Sequence, residues 1–157
     1  MAMHNLGCNY RDGKCGYQQD YTKALELFHW AAELGYSEAI NSIGTAYYNG
    51  RGVEVDNEKA VHYYELAAMR GDVEARYNLG IEEENARNFD RALKHYIIAI
   101  GVGDSYSLME IQDLYSKGHA TKEDYTKALR SYQEYLVEIK SKQRDEAAAD
   151  HEEYRYY

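Results

Sequence analysis

Apolar residues along this chain recur in two alternating stripes. Between Ala39 and Tyr48, Ile40, Ile43 and Tyr47 fall three and four positions apart, and between Asn57 and Met69 the set Ala60, Val61, Tyr64, Ala67 and Ala68 does the same. That is the spacing of one buried stripe on a helix. The stretch between the two carries Gly50, Gly52 and Asp56, which suit a tight turn and then an N-cap, and Gly71 follows the second stripe as a left-handed C-cap. The pattern predicts two helices joined by a short loop.

This helix pair repeats. Ala2, Ala39, Ala75 and Ser107 mark equivalent points in four units, placed at about 1–38, 39–74, 75–106 and 107–140. A period in the thirties is the signature of a stacked helical array, in which no unit buries its stripe alone. Small residues at Gly44, Ala60 and Ala67 let neighbouring helices approach, and tyrosines fill the remaining gaps. Helices are expected over 1–10 and 20–34 in the first unit, over 73–86 and 88–100 in the third, and from near 105 and 122 in the fourth, with a turn at Gly118. The third unit is shortened between Gly80 and Ala92, where the Gly-x-Gly-Val stretch is missing, so its internal connection is expected to be short. The fourth carries Gln112 in place of the recurring Gly and Tyr135-Leu136 in place of Ala-Ala, which predicts altered packing. After Ile139 the pattern turns to Lys, Gln, Arg, Asp and Glu around Ala147-Ala148-Ala149. A charged helical extension is expected over 141–157, fraying from His151 to Tyr157.

Four features recur at fixed places in the units: Leu6-Gly7, Ile43-Gly44 and Leu79-Gly80; the aromatics Tyr10, Tyr47 and Tyr115; Lys23-Ala24, Lys59-Ala60, Arg91-Ala92 and Lys127-Ala128; and Ala31-Ala32 with Ala67-Ala68. Through these residues, over about 1–140, the chain resembles the Sel-like repeat (SLR), a tetratricopeptide-type repeat of two antiparallel helices. The resemblance implies an all-α fold, a right-handed α-solenoid of four antiparallel helix pairs with an extended C-terminal helix. It also implies a non-catalytic scaffold or adaptor that binds a partner peptide or helix, in ubiquitin-linked quality control as for similar proteins. Proteins similar down to the stretch Asp20 to Leu27 and the tail Glu153 to Tyr157 carry a RING-like zinc-binding domain upstream, which this sequence lacks. A truncated relative or a fragment is therefore expected, whose uncapped first helix presents Met1, Met3 and Leu6 for self-association. The alternative is an enzyme or ligand binder like the cysteine-rich, secreted, β-lactamase-type branch of the repeat family. That branch carries a disulfide within each repeat, and this chain lacks the framework.

Bulk properties narrow the partners. The chain has 157 residues and a formal net charge of -9, from 27 acidic and 18 basic residues. Such a balance opposes nucleic-acid binding, which needs clustered Lys and Arg, and favours a basic protein or peptide partner. Mean hydropathy is -0.76, but the 18 tyrosines supply buried area that hydropathy scales undervalue. No apolar run approaches the roughly 18 residues that span a bilayer, and no signal-peptide core follows Met1, so a soluble cytoplasmic or otherwise intracellular chain is expected. Cys8 and Cys15 lie close enough for a local disulfide; two free thiols are favoured, because nothing else indicates an oxidising compartment.

Candidate chemistry is sparse. Glu26-x-x-His29 has the spacing of carboxylate-bridged metal sites, but a di-metal bundle needs two such motifs and two further Glu, and only this one occurs. His29, His62 and His95 are evenly spaced yet fall at different places relative to Ala24, Ala60 and Ala92, so they do not share a face. Gly101-Val102-Gly103-Asp104-Ser105 follows a helix rather than a strand and lacks a Lys, which makes it an inter-repeat turn rather than a phosphate loop. Glu82-Glu83-Glu84 reads as a solvated face. No catalytic residue, metal or cofactor is expected.

The resemblance places the first helix of each unit along a concave groove. Counted from the Leu-Gly pair, the groove positions are His4, Cys8 and Arg11 in the first unit, Asn41, Thr45 and Tyr48 in the second, Tyr77, Ile81 and Glu84 in the third, and Met109, Asp113 and Ser116 in the fourth. A patch of Tyr48, Tyr77, Ile81 and Met109 beside the acids Glu84 and Asp113 suits an extended peptide or helix with basic flanks.

Overall fold

The structure, a computed structural model, describes the backbone of residues 1–153 and the side chains of 1–146. Over these residues it is all helical, with no strand: α1 (Ala2–Asp12), α2 (Tyr21–Glu33), α3 (Ser37–Asn49), α4 (Asn57–Met69), α5 (Val73–Asn85), α6 (Phe89–Ile100), α7 (Ser105–Ser116) and α8 (Lys122–Glu153). Each helix packs on the next in chain order, and α6 also touches α8. The core is accordingly a row of three clusters rather than one ball. Ala24, Phe28 and Ile43 centre the first, Tyr64, Ala67 and Leu79 the second, and Tyr96, Ile111 and Leu114 the third.

One interlock closes each of the first three pairs. Gly7, Gly44 and Gly80 lie beneath the rings of Phe28, Tyr64 and Tyr96, and a Cβ on any of the three glycines would come within 3 Å of the ring. Glycine is what lets the second helix lay an aromatic flat against the first. In the fourth unit Gln112 takes that position, and its ring, Tyr132, is only half-buried. Tyr135, where the earlier units place the sealed Ala31, Ala67 and Ala99, stands against Gly103.

Aspartates set the helix starts. Asp20 and Asp56 cap α2 and α4, accepting the amides of Lys23 and Lys59 at 2.9 and 3.0 Å, while Asp72 and Asp104 cap α5 and α7 through Ala75 and Ser107 at 2.7 and 2.8 Å. Thr121 and Asp124 cap each other reciprocally at the start of α8. In the α3–α4 loop, Gly52 at φ 79° approaches the Tyr21 carbonyl so closely that a Cβ would stand 2.7 Å from it. The third unit lacks this loop, as expected: residues 86–88 alone join α5 to α6, with Arg87 at φ 63°. Helix α8 continues to Glu153, and the tail Tyr154 to Tyr157 lies outside the described residues. On α1, Ala2 and Met3 are exposed at the positions that Ala39 and Ile40 occupy, sealed, on α3.

Candidate partner-binding face

The first helices α1, α3, α5 and α7 line one side of the stack. On α1, His4 feels the charge of Asp72, and Cys8 and Arg11 feel Glu74, although both acids belong to the α5 segment and α3 lies between. Groups on first helices two units apart therefore lie within electrostatic reach on this side, the one that the repeat register assigns to the groove. Burial holds the His4 imidazole below its ordinary pKa and pushes the Cys8 thiol above its own, so neither is an activated nucleophile or base.

A ladder of polar contacts crosses this face. His4 Nε2 meets Ser42 Oγ at 3.1 Å, the Asn78 amide donates to Asn41 Oδ1 at 3.0 Å, and the Tyr77 hydroxyl donates to Glu110 Oε1 at 2.9 Å. In the repeat register these are one contact made three times: His4, Asn41 and Tyr77 are equivalent, as are Ser42, Asn78 and Glu110. Each rung ties a first helix to the next with different chemistry. A second set ties the concave positions to the helices behind them: the Tyr64 hydroxyl donates to Thr45 Oγ1 at 3.4 Å and the Tyr96 hydroxyl to Glu84 Oε2 at 3.1 Å. Burial raises the Tyr64 pKa to about 12; burial and then the neighbouring Glu110 do the same for Tyr77, and burial first also lifts Tyr96.

These contacts sort the groove positions. Asn41 is a correction: it is 3 % exposed and held by Asn78, so it seals the seam between α3 and α5 and is not presented to a partner. It lies opposite the apolar stripe of its own helix, but the next unit closes over that side. Ile81 is half-buried against the cluster formed by α6 to α8 and adds little to an open patch. Tyr77 is likewise half-buried, with its hydroxyl engaged. His4 and Cys8 contact each other at 3.7 Å, Arg11 pairs with Asp12 at 2.7 Å, Asp113 with Lys117, and Ser116 donates to the Asp113 carbonyl. Tyr48 and Met109 stand free, 37 % and 65 % exposed.

The structure also places on this face residues that counting from the Leu-Gly pair passes over. Glu74 and Tyr106, one position before Ala75 and Ser107, flank a cleft of about 580 Å³ between α5 and α7. The sequence carries a signal for it: Glu38, Glu74 and Tyr106 are equivalent, and only the third is a ring.

Among the described residues no group of three or more His, Cys, Asp or Glu is placed to hold a metal ion, and both cysteines are free thiols. His29, from the Glu26-x-x-His29 motif, packs edge-on against Tyr63. No helix among the described residues is long and apolar enough to cross a membrane.

A curved stack of helix pairs with exposed aromatic and acidic side chains on its inner face defines an interaction repeat of the tetratricopeptide-like class. The Sel1 repeat model matches residues 1–36, 37–72, 73–104 and 113–133, and the chain belongs to the Sel1 repeat family. It is similar to the ERAD-associated E3 ubiquitin-protein ligase component HRD3B of Arabidopsis thaliana, with 37 % identity over 82 residues covering 52 % of this chain and 12 % of that protein. It is also similar to DAP3-binding cell death enhancer 1 of Rattus norvegicus, with 29 % identity over 114 residues covering 70 % and 22 %. The chain thus spans only a small part of these relatives. Among solved structures, a Sel1 repeat protein from Oxalobacter formigenes superposes with a TM-score of 0.72 at 31 % identity, covering 87 % of this chain and 57 % of that one. The protective antigen c5321 of uropathogenic Escherichia coli, which displays an SLR fold, gives 0.71 at 28 %, covering 87 % and 30 %.

Proposed function

We propose that the chain is a non-catalytic scaffold or adaptor that grips a peptide or helix with basic residues along its concave face, serving the assembly of a ubiquitin-linked quality-control complex. The observation that carries the reading is that Tyr48 and Met109 stand exposed on a face whose Asn41, Glu84 and Glu110 are already bonded within the stack. Exposed aromatic and thioether side chains on a rigid curved frame are what an interface core uses, and the acids supply orientation and on-rate for a cationic partner. The link to ubiquitin rests on the likeness to HRD3B, whose name makes it a ligase component.

Selection of a random peptide library on the purified chain tests the reading. Enriched peptides should carry Lys or Arg beside an apolar residue, and the double variant Tyr48→Ala, Met109→Ala should lose them while keeping its helical circular-dichroism spectrum. Acidic peptides, or basic ones that the double variant still holds, would reject this face.

A further inference from the structure

We infer that the gap between α5 and α7 is a subsite for the side chain of a lysine in the bound peptide, a refinement that rests on the adaptor reading. The three gaps between successive first helices are built from equivalent positions but closed differently. In the first, His4 lies within electrostatic range of Glu38, and in the second, Asn41 stands near Glu74 with its own hydrogen bond made to Asn78. In the third, the partners are Tyr77 and Tyr106, whose ring centroids lie 6.3 Å apart at 56°. Two rings cannot bridge as a small polar pair does, and they form a wedge. Its cleft of about 580 Å³ is lined by Val73, Glu74 and Tyr77 on one side and Val102, Asp104 and Tyr106 on the other.

The wedge is firm on one wall and open on the other. Glu110 fixes the Tyr77 hydroxyl at 2.9 Å, while Tyr106 and Val102 are 67 % and 54 % exposed, large apolar surface with nothing over it. Neither of the two carboxylates is neutralised by a contact ion pair among the described residues. Asp104 accepts the Ser107 amide at 2.8 Å, and Arg11 reaches Glu74 only at longer range. Ring faces and carboxylates attract a cation, and the two valines suit the methylene stem that carries it. A guanidinium stacks best between near-parallel faces, which rings at 56° do not offer; a compact ammonium has no plane to satisfy.

Titration of the isotope-labelled full chain with Nα-acetyl-lysine methylamide, followed by NMR, tests the assignment, with the norleucine and arginine analogues run alongside. The lysine probe should give saturating shifts confined to amides near 73–78 and 102–107, norleucine none, and arginine weaker ones. Glu74→Gln and Tyr106→Ala should each weaken the lysine probe by about three- to tenfold with the circular-dichroism spectrum unchanged. Shifts that spread over the acidic surface without saturating, equal binding of norleucine or arginine, or full retention in both variants would each overturn the subsite. Its failure is separable from that of the adaptor reading. Selected peptides that survive Glu74→Gln and Tyr106→Ala but not Tyr48→Ala, Met109→Ala leave the adaptor and remove the subsite, whereas a seated lysine probe without peptide capture removes the adaptor and leaves the subsite.

Discussion

Lys23 lies over the ring of Tyr10 at 4.4 Å and Lys59 over Tyr47 at 5.2 Å; in the third unit Glu83 stands where the ring would be, and Arg91 pairs with it at 2.8 Å. A cation–π contact and an exposed ion pair are both weak at a solvent-facing position, so the position tolerates the exchange as long as both residues change together. The ladder behaves alike, with His–Ser, Asn–Asn and Tyr–Glu rungs at one register. Ser107 breaks this rule of paired change. It replaces the sealed Ala39 and Ala75 and is itself wholly buried, and its hydroxyl has no hydrogen-bond partner. An orphaned buried hydroxyl costs free energy that an alanine does not, so Ser107→Ala should stabilise the chain by about 1 kcal/mol. Urea unfolding measures this as a raised midpoint at unchanged slope; a lowered midpoint would mean that the hydroxyl is satisfied after all.

Connections, more than helices, distinguish the units. With the Gly-x-Gly-Val loop gone, residues 86–88 must reverse the chain in one tight step, and Arg87 takes φ 63°, the left-handed region where a side chain is strained. Arg87→Gly should therefore raise stability by roughly 0.5–1 kcal/mol, read as a higher Tm, because the relief of strain exceeds the entropy that glycine adds to the unfolded chain. A lower Tm would show that the Arg87 side chain contributes more than its backbone costs. The short connection, the helix pairs and the Asp56 cap were all legible in the residues, since each depends on spacing within one unit. Asn41 and Ile81 were not. Both lie off the apolar stripe of their own helices, which reads as solvent-facing, yet a helix inside a solenoid has neighbours on both flanks, and no single unit's pattern records the second one. The cleft flanked by Glu74 and Tyr106 was missed for the same reason: it belongs to the gap between two units, and only aligning Glu38, Glu74 and Tyr106 across units brings the exchange of acid for ring into view.

A chain whose core is a row of clusters holds each unit through its neighbours, so stability should vary along its length. The second and third units have the glycine–aromatic interlock and a packed unit on either side. The fourth has Gln112 in place of glycine and a half-exposed Tyr132, and α8 over 140–146 is mostly open to solvent. Native-state hydrogen exchange should accordingly be slowest in α3 to α6, faster in α7 and the first half of α8, and fastest over 140–146. The proposed lysine subsite straddles the junction between the third unit and the weaker fourth, with Tyr77 already holding Glu110 across it. A ligand that binds only when that junction is closed stabilises the closed form by mass action, so saturating a lysine-bearing peptide should slow exchange in α7 more than in α3. Uniform protection from α3 through α8 in the free chain would refute the gradient, and equal slowing of α3 and α7 by the peptide would refute the junction as its seat.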